Sequence, residues 1–256
     1  MQLLHVLIFG MVEGITEFLP ISSTGHLMLT AKLLQISQTE FIKSFEITIQ
    51  LGAILSVVVL YWGRFIKSWE IWKRLLVAFI PTVLIGVLLY KTIKRYFLGN
   101  NEVVLWSLFI GGLFLIIFEL LHREKKDAVE ELFNVSYPQA LIIGLFQSVA
   151  MIPGVSRAAA TIIGGLAVGL KRKTIVEFSF LLAVPTMLAA TALDLFKSAQ
   201  VFKSEQLVYL GAGFGISFLV AIIAIKFLLA FIKRHSFISF GVYRIIIALG
   251  FWFILK

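Results

Sequence analysis

The stretch Glu13-Gly-Ile-Thr-Glu17-Phe-Leu-Pro20-Ile-Ser-Ser-Thr-Gly-His26 breaks every rule for a lipid-facing helix, yet apolar residues precede and follow it. A second stretch, Pro153-Gly-Val-Ser-Arg157-Ala-Ala-Ala-Thr161, does the same. An ionisable group at membrane depth costs about 2.5–3.5 kcal/mol on insertion scales. Non-helical backbone at that depth survives only where protein or a water-filled cavity surrounds it. Both stretches therefore read as lining a polar cavity.

The rest of the chain supplies the membrane. Of 256 residues, 60% are hydrophobic and 14% charged, with a mean hydropathy of +0.99. A soluble chain is usually about 45–50% apolar and about 25% charged. The runs Ile47–Tyr61, Leu75–Tyr90, Val103–Leu121, Phe178–Leu193, Leu207–Ile225 and Phe237–Leu255 approach the ~20 residues that cross a bilayer. Cysteine is absent, which excludes thiolate catalysis, disulfides and Cys-based metal sites. The net charge of +9 resides mostly in short loops between apolar runs. That is the distribution of membrane-flanking and headgroup-contacting charge, and no nucleic-acid partner is expected. Met1–Met11 lacks a basic start, and Glu13 and Glu17 interrupt the apolar stretch, so no cleavable signal is expected.

The sequence also repeats itself. Leu7-Ile-Phe-Gly10-Met-Val-Glu13 parallels Ile142-Ile-Gly144-Leu-Phe-Gln147, setting Gly10 against Gly144 and Glu13 against Gln147. With one gap, Pro20 aligns with Pro153 and Ser23 with Ser156, and Glu46 and Glu177 each open a long apolar run. Each half starts with two short pieces around a Pro/Ser/Gly turn: Leu3–Phe18 with His26–Leu34, and Ala140–Ile152 with Ala158–Leu170. Segments that short suit a re-entrant pair, and three full spans follow each. A re-entrant pair returns to its own side, so three crossings invert the second half. The expected fold is an all-α polytopic membrane protein in one domain, with inverted halves of about 1–121 and 139–256. The polar loop 122–138 joins them. Twelve basic residues in one set of loops, from Arg64 to Arg234, face eight in the other, from Lys32 to Lys256. The bias places the first set in the cytoplasm and both termini outside.

Glu13 and Glu17, four residues apart, share a helix face. Two close carboxylates favour either a shared proton, for general acid–base work, or a divalent metal. Pro20 and Pro153 stop the preceding helices. Ser22, Ser23 and Thr24, and separately Ser156, then stand at new helix starts, where free N–H groups and the helix dipole suit an anion. Arg157 adds a planar fork for phosphate oxygens. His26, one helical turn after Ser23, either activates that hydroxyl or attacks phosphorus itself. His5, His122 and His235 lack such company. Glu46 and Glu177 either line the cavity or sit at the membrane interface. Inverted repeats with broken helices also suit a lipid-phosphate transporter or flippase, which is the main alternative to an enzyme.

These motifs closely resemble those of the undecaprenyl-diphosphate phosphatase family associated with bacitracin resistance: an ExxxE element, an FLPxSSTGH segment and a PGxSRxxxT segment. Here they stand as Glu13/Glu17, Phe18–His26 and Pro153–Thr161. Where the family pattern often has Ser after the Arg, this chain has Ala158, so one hydroxyl is missing. The resemblance implies removal of the terminal phosphate of undecaprenyl diphosphate, recycling the lipid carrier of cell-wall synthesis. It implies catalytic roles for Glu13, Glu17, Ser23 and His26. Substrate binding falls to Arg157, Ser156, Gly154, Ser22, Thr24, Gly25 and Thr161. It also implies a divalent cation, Mg2+ or Ca2+, associated with Glu13 and Glu17, and a site open to the outer face of the bacterial inner membrane. A homodimer is an assembly that the sequence admits without requiring.

Overall fold

The computed structural model describes residues 2–67, 69–97, 99–197 and 204–254. Of the residues named above, Met1, Leu255 and Lys256 lie outside these, as do the side chains of Tyr90 and Leu193. In hydrocarbon each backbone polar group must be satisfied within the chain, and helix does this locally. The described residues are accordingly helical throughout the apolar runs.

Two short helical pairs begin the two halves. The first is α1 (Leu3–Thr16) with α2 (Ser23–Leu33); the second, given its chain-order labels, is α7 (Tyr137–Val149) with α8 (Arg157–Ala167). At about 1.5 Å per residue none of these reaches across a hydrocarbon core of about 30 Å. Between the pairs lie α3 (Glu40–Leu60), α4 (Trp62–Lys67), α5 (Trp69–Tyr96) and α6 (Asn101–Leu121). After the second pair come α9 (Arg172–Lys197), α10 (Ser204–Phe231) and α11 (Ile238–Ile254). Helices α3, α5, α6, α9 and α10 are long and apolar enough to cross a membrane. The expected third long span of the second half is the shorter α11, described over 17 residues. The chain is an all-α, multi-pass membrane protein. Its outer surface agrees, since Leu88, Leu121 and Phe253 are each about four-fifths exposed.

Packing repeats between the halves. Helix α1 lies on α10, and α7 lies on α5. The glycines matched in sequence sit at these two crossings. A Cβ on Gly10 would meet Ile216 at 3.0 Å, and one on Gly144 would meet the Ala78 carbonyl at 2.0 Å. Helices α6 and α11 pack together, as do α3 and α9. The main core joins both halves through residues such as Phe18 and Phe180, whose rings meet edge to face at 5.4 Å. The polar connection 122–138 holds a short 3₁₀ turn, Leu132–Asn134. It is pinned to the α8–α9 turn by Val129 N–H to Gly169 (2.9 Å) and Lys171 N–H to Val129 (3.0 Å).

Candidate active site

The turns that end α1 and precede α8 meet around one cavity of about 260 Å³. The first turn contributes Glu17, Ser22, Ser23 and Thr24, and the second Pro153, Gly154, Ser156 and Arg157. Gln50 of α3 and Met187 of α9 complete much of the wall.

Both turns use the same local device. Ser22 caps α2 and Ser156 caps α8, each with a left-handed backbone, φ +74° and +77°. Such a conformation costs a non-glycine residue of order 1–3 kcal/mol. Each hydroxyl offsets part of this by accepting from the amide three residues on, Gly25 (3.3 Å) and Ala159 (3.2 Å). The structural match is therefore Ser22 with Ser156, not Ser23 with Ser156 as the sequence alignment sets them. Ser22 and Ser156 keep the offset of 134 residues that relates Gly10 to Gly144 and Glu13 to Gln147, so no gap is needed and only the prolines are out of register. The correction places Ser23 opposite Arg157, each the first residue of its helix.

Glu17 joins these two residues. One carboxylate oxygen accepts from the Ser23 hydroxyl, and the other accepts from Arg157 Nη2 at 3.1 Å. Arg157 also donates through Nη1 to the Ser179 carbonyl at 2.9 Å, while its buried Nε has no partner among the described residues. Thr161 is fully buried and does not line the cavity. Its hydroxyl bonds Ser179 Oγ at 2.6 Å, so it braces the residue that holds Arg157. Gly25 is likewise behind the wall, packed toward Val104. Gly154 is at the wall with φ +92°, and a Cβ there would meet the Val104 carbonyl at 2.7 Å, so only glycine fits.

His26 departs from its expected partner. Its Nδ1 donates to the Ser22 carbonyl (2.8 Å), and its Nε2 meets the Tyr243 hydroxyl (2.9 Å), with the two rings stacked at 5.6 Å. In a neutral imidazole that uses both nitrogens, one as donor and one as acceptor. The helical turn from Ser23 carries the ring away from the Ser23 hydroxyl, which Glu17 receives instead. Glu177 lies near Arg64 (3.9 Å) and Lys173 (4.0 Å), apart from the cavity wall. Glu46 accepts from Gln38 at 3.2 Å and lies within electrostatic range of Glu13.

Glu13 is fully buried beside Glu17 and does not line the cavity. Neither Glu13 oxygen has a partner among the described residues. Orphaned oxygens of this kind fit a hard cation, which takes oxygen ligands alone. Among the described residues no third His, Asp or Glu completes a protein-only metal site.

Sequence reasoning missed Gln50, Ser179, Tyr243 and Arg244. For Arg244 a signal was present, since it is a lone charge inside the apolar run Phe237–Leu255. The others look like ordinary helix residues.

The family profile described as "Bacitracin resistance protein BacA" matches residues 6–250. The chain belongs to this family. Among curated BacA-family relatives, one from Aquifex aeolicus named "Undecaprenyl-diphosphatase" is 54% identical over 96% of this chain and 95% of its own. One from a Sulfurihydrogenibium species with the same name is 51% identical, over 98% and 99%. A third, from Wolinella succinogenes, is 49% identical over 100% and 99%, and is named alike. The flippase alternative finds no support in these names. Of the motif residues singled out in the sequence, Glu17, Ser22, Ser23, Thr24, Gly154, Ser156 and Arg157 line the cavity, while Glu13, Gly25, His26 and Thr161 do not.

Proposed function

We propose that this chain hydrolyses undecaprenyl diphosphate to undecaprenyl phosphate and inorganic phosphate, in the bacterial inner membrane, at a site open to its outer face. The observation that carries this reading is Glu17, whose carboxylate holds a hydroxyl from one turn and a guanidinium from the other. A nucleophile paired with a base, opposite a fixed cation and between two helix N-termini, suits attack on a phosphorus atom.

Ser23 is the nucleophile in this reading. Its Oγ proton passes to Glu17 as Oγ bonds the terminal phosphorus, and the bond to the bridging oxygen breaks. Undecaprenyl phosphate leaves, taking the proton from Glu17 onto its departing oxygen and so restoring the Glu17 carboxylate; its remaining charge is met by Arg157 and by the amide groups at the α2 and α8 starts. Water then attacks the phosphoserine, giving up a proton to Glu17, which returns it to Ser23 as phosphate departs. His26 serves by fixing the Ser22 carbonyl, because both its nitrogens are committed. Arg157 still has the unpartnered Nε–H to offer a phosphate oxygen.

Glu13 and Glu17 would hold a divalent cation through their carboxylate oxygens. Such an ion supplies charge neutralisation at the transferred phosphoryl group. The matched glycine crossings and capping serines support two inverted halves, about 1–121 and 139–256, each contributing one wall. Purified protein in detergent, where transport has no meaning, should release phosphate from undecaprenyl diphosphate. No release, with Mg2+ and with Ca2+ each supplied, would overturn the proposal.

A further inference from the structure

Arg244 of α11 is the largest fully buried side chain of the described residues. All five of its hydrogen bonds end on main-chain carbonyls. Nε donates to Leu108 (3.3 Å), Nη1 to Pro20 (3.4 Å) and Val155 (2.9 Å), and Nη2 to Ser107 (3.0 Å) and Gly154 (2.9 Å). A guanidinium has five N–H groups, so each meets one carbonyl. Three of the carbonyls belong to the two turns that form the cavity: Pro20 in the first, Gly154 and Val155 in the second.

A buried charge with no carboxylate partner is expensive, and a staple between helices does not require one. The charge is therefore informative. It faces five negative carbonyl ends at once. Because the peptides here are trans, the amide of Ser156 points the opposite way from the Val155 carbonyl, away from α11. Both turns are thus fixed in orientation by one planar group, and so are the residues that come after them, Ser23 and Arg157.

We propose that Arg244 is a positioning residue of the hydrolysis, locking the Pro20 turn to the Gly154–Val155 turn so that Ser23 and Arg157 face one diphosphate. The inference rests on the hydrolase reading above. Helix α6 makes room for this group. A Cβ on Gly111 would lie 2.2 Å from Arg244 Nη2 and 2.9 Å from Cζ. Glycine in the middle of a helix otherwise costs about 1 kcal/mol relative to alanine. Its presence at 111 is accounted for by the guanidinium.

The test uses full-length Arg244→Met, Arg244→Lys, Arg244→Ala and Gly111→Ala in detergent, with phosphate release measured over a range of undecaprenyl diphosphate concentrations. Misplacement of reacting groups by about 1 Å costs on the order of a hundredfold. Arg244→Met and Arg244→Lys should lose about that much in kcat, with KM moved less than about fivefold. Arg244→Lys should do no better than Arg244→Met, since an ammonium has three donors for five carbonyls. Gly111→Ala alters no residue of the cavity wall and improves helix propensity, while its added methyl displaces the guanidinium. It should lower kcat roughly tenfold while remaining monodisperse and melting within a few degrees of the wild type. Guanidinium ion at millimolar concentration should restore part of kcat to Arg244→Ala. Wild-type kcat in folded Gly111→Ala, or losses in the Arg244 variants that merely track the folded fraction, would overturn the inference. A wild-type protein that releases no phosphate would instead remove the hydrolase reading, so the two failures are distinct.

Discussion

The hairpins α1–α2 and α7–α8 share a scaffold and differ in chemistry. Each has a short helix crossing a long one at a glycine, a proline turn, and a serine cap with φ near +75°. At the position after the cap, the first has Ser23 and the second Arg157. Three residues after the glycine, the first has Glu13 and the second Gln147. The Gln147 amide donates to Thr82 (2.8 Å) and Thr186 (3.3 Å) and leaves its oxygen without a partner among the described residues, where both Glu13 oxygens lack one. A buried polar group without a partner costs about 1–3 kcal/mol, more when charged. At that position the second hairpin has a neutral amide bonded to its neighbours, and the first a buried carboxylate. The difference assigns proton and nucleophile chemistry to one turn and charge holding to the other, with Glu17 spanning the two.

The largest effect should come from cutting that span. Glu17→Gln removes both the base for the Ser23 proton and the counter-charge of Arg157, while its amide oxygen can still accept from Ser23. Ser23→Ala removes the nucleophile. Each should lower kcat about a thousandfold or more, measured as phosphate release at saturating substrate. The double variant should lose little more than either single one, because the residues act as a unit. Independent, multiplying losses would break the assignment of Ser23 and Glu17 to one step.

Arg157→Lys tests the other turn. Lysine keeps the charge but not the fork that reaches Glu17 and Ser179 together. A loss of about a hundredfold in kcat/KM is expected, the scale of one electrostatic donor. Thr161→Val, which frees Ser179, should cost less, about tenfold, and through the same parameter. If Thr161→Val costs as much as Arg157→Lys, Thr161 contacts the substrate and is no brace.

Glu13→Gln makes the first hairpin resemble the second at one position. The buried carboxylate is lost, and with it the charge available to a divalent cation. The expected result is a fall in kcat of about ten- to a hundredfold, together with a Mg2+ titration that no longer raises the rate. An unchanged response to Mg2+ would separate Glu13 from any metal.

Much of this contrast was legible in the sequence, for a physical reason. Charged and hydroxylic residues inside apolar runs are costly, so Glu13, Glu17, Ser23 and Arg157 announced themselves. The breaks at Pro20 and Pro153 were legible because proline ends helices. What failed was register and reach. Ser22 and Ser156 are equivalent through φ and capping, and neither is encoded by residue type when Ser22 and Ser23 are adjacent. Helical spacing brought His26 near Ser23 in one dimension. Only the position of α11 shows that Tyr243 holds the ring and that the Ser22 carbonyl orients it. Arg244 could have been found as a lone charge in a span, yet its five carbonyl partners come from segments up to 224 residues away.

The smallest effect concerns the caps, where the two hairpins are most alike. Glycine adopts φ near +75° without strain, so Ser→Gly relieves the backbone while losing one capping hydrogen bond. At Ser156 these terms nearly cancel, and stability should change by no more than about 0.5 kcal/mol, read as a melting shift of a few degrees at most. Activity should stay within about threefold there, provided the hydroxyl acts only as a cap. At Ser22 the stability change should be equally small, because the Ser22 carbonyl that holds His26 is retained. Its hydroxyl, however, lies beside Ser23 on the wall formed by the nucleophile's turn. A larger loss of kcat at Ser22 than at Ser156, with matched melting temperatures, would show the asymmetry of the hairpins extending into their shared cap. Equal and negligible losses would confine it to the residues one step further along, Ser23 and Arg157.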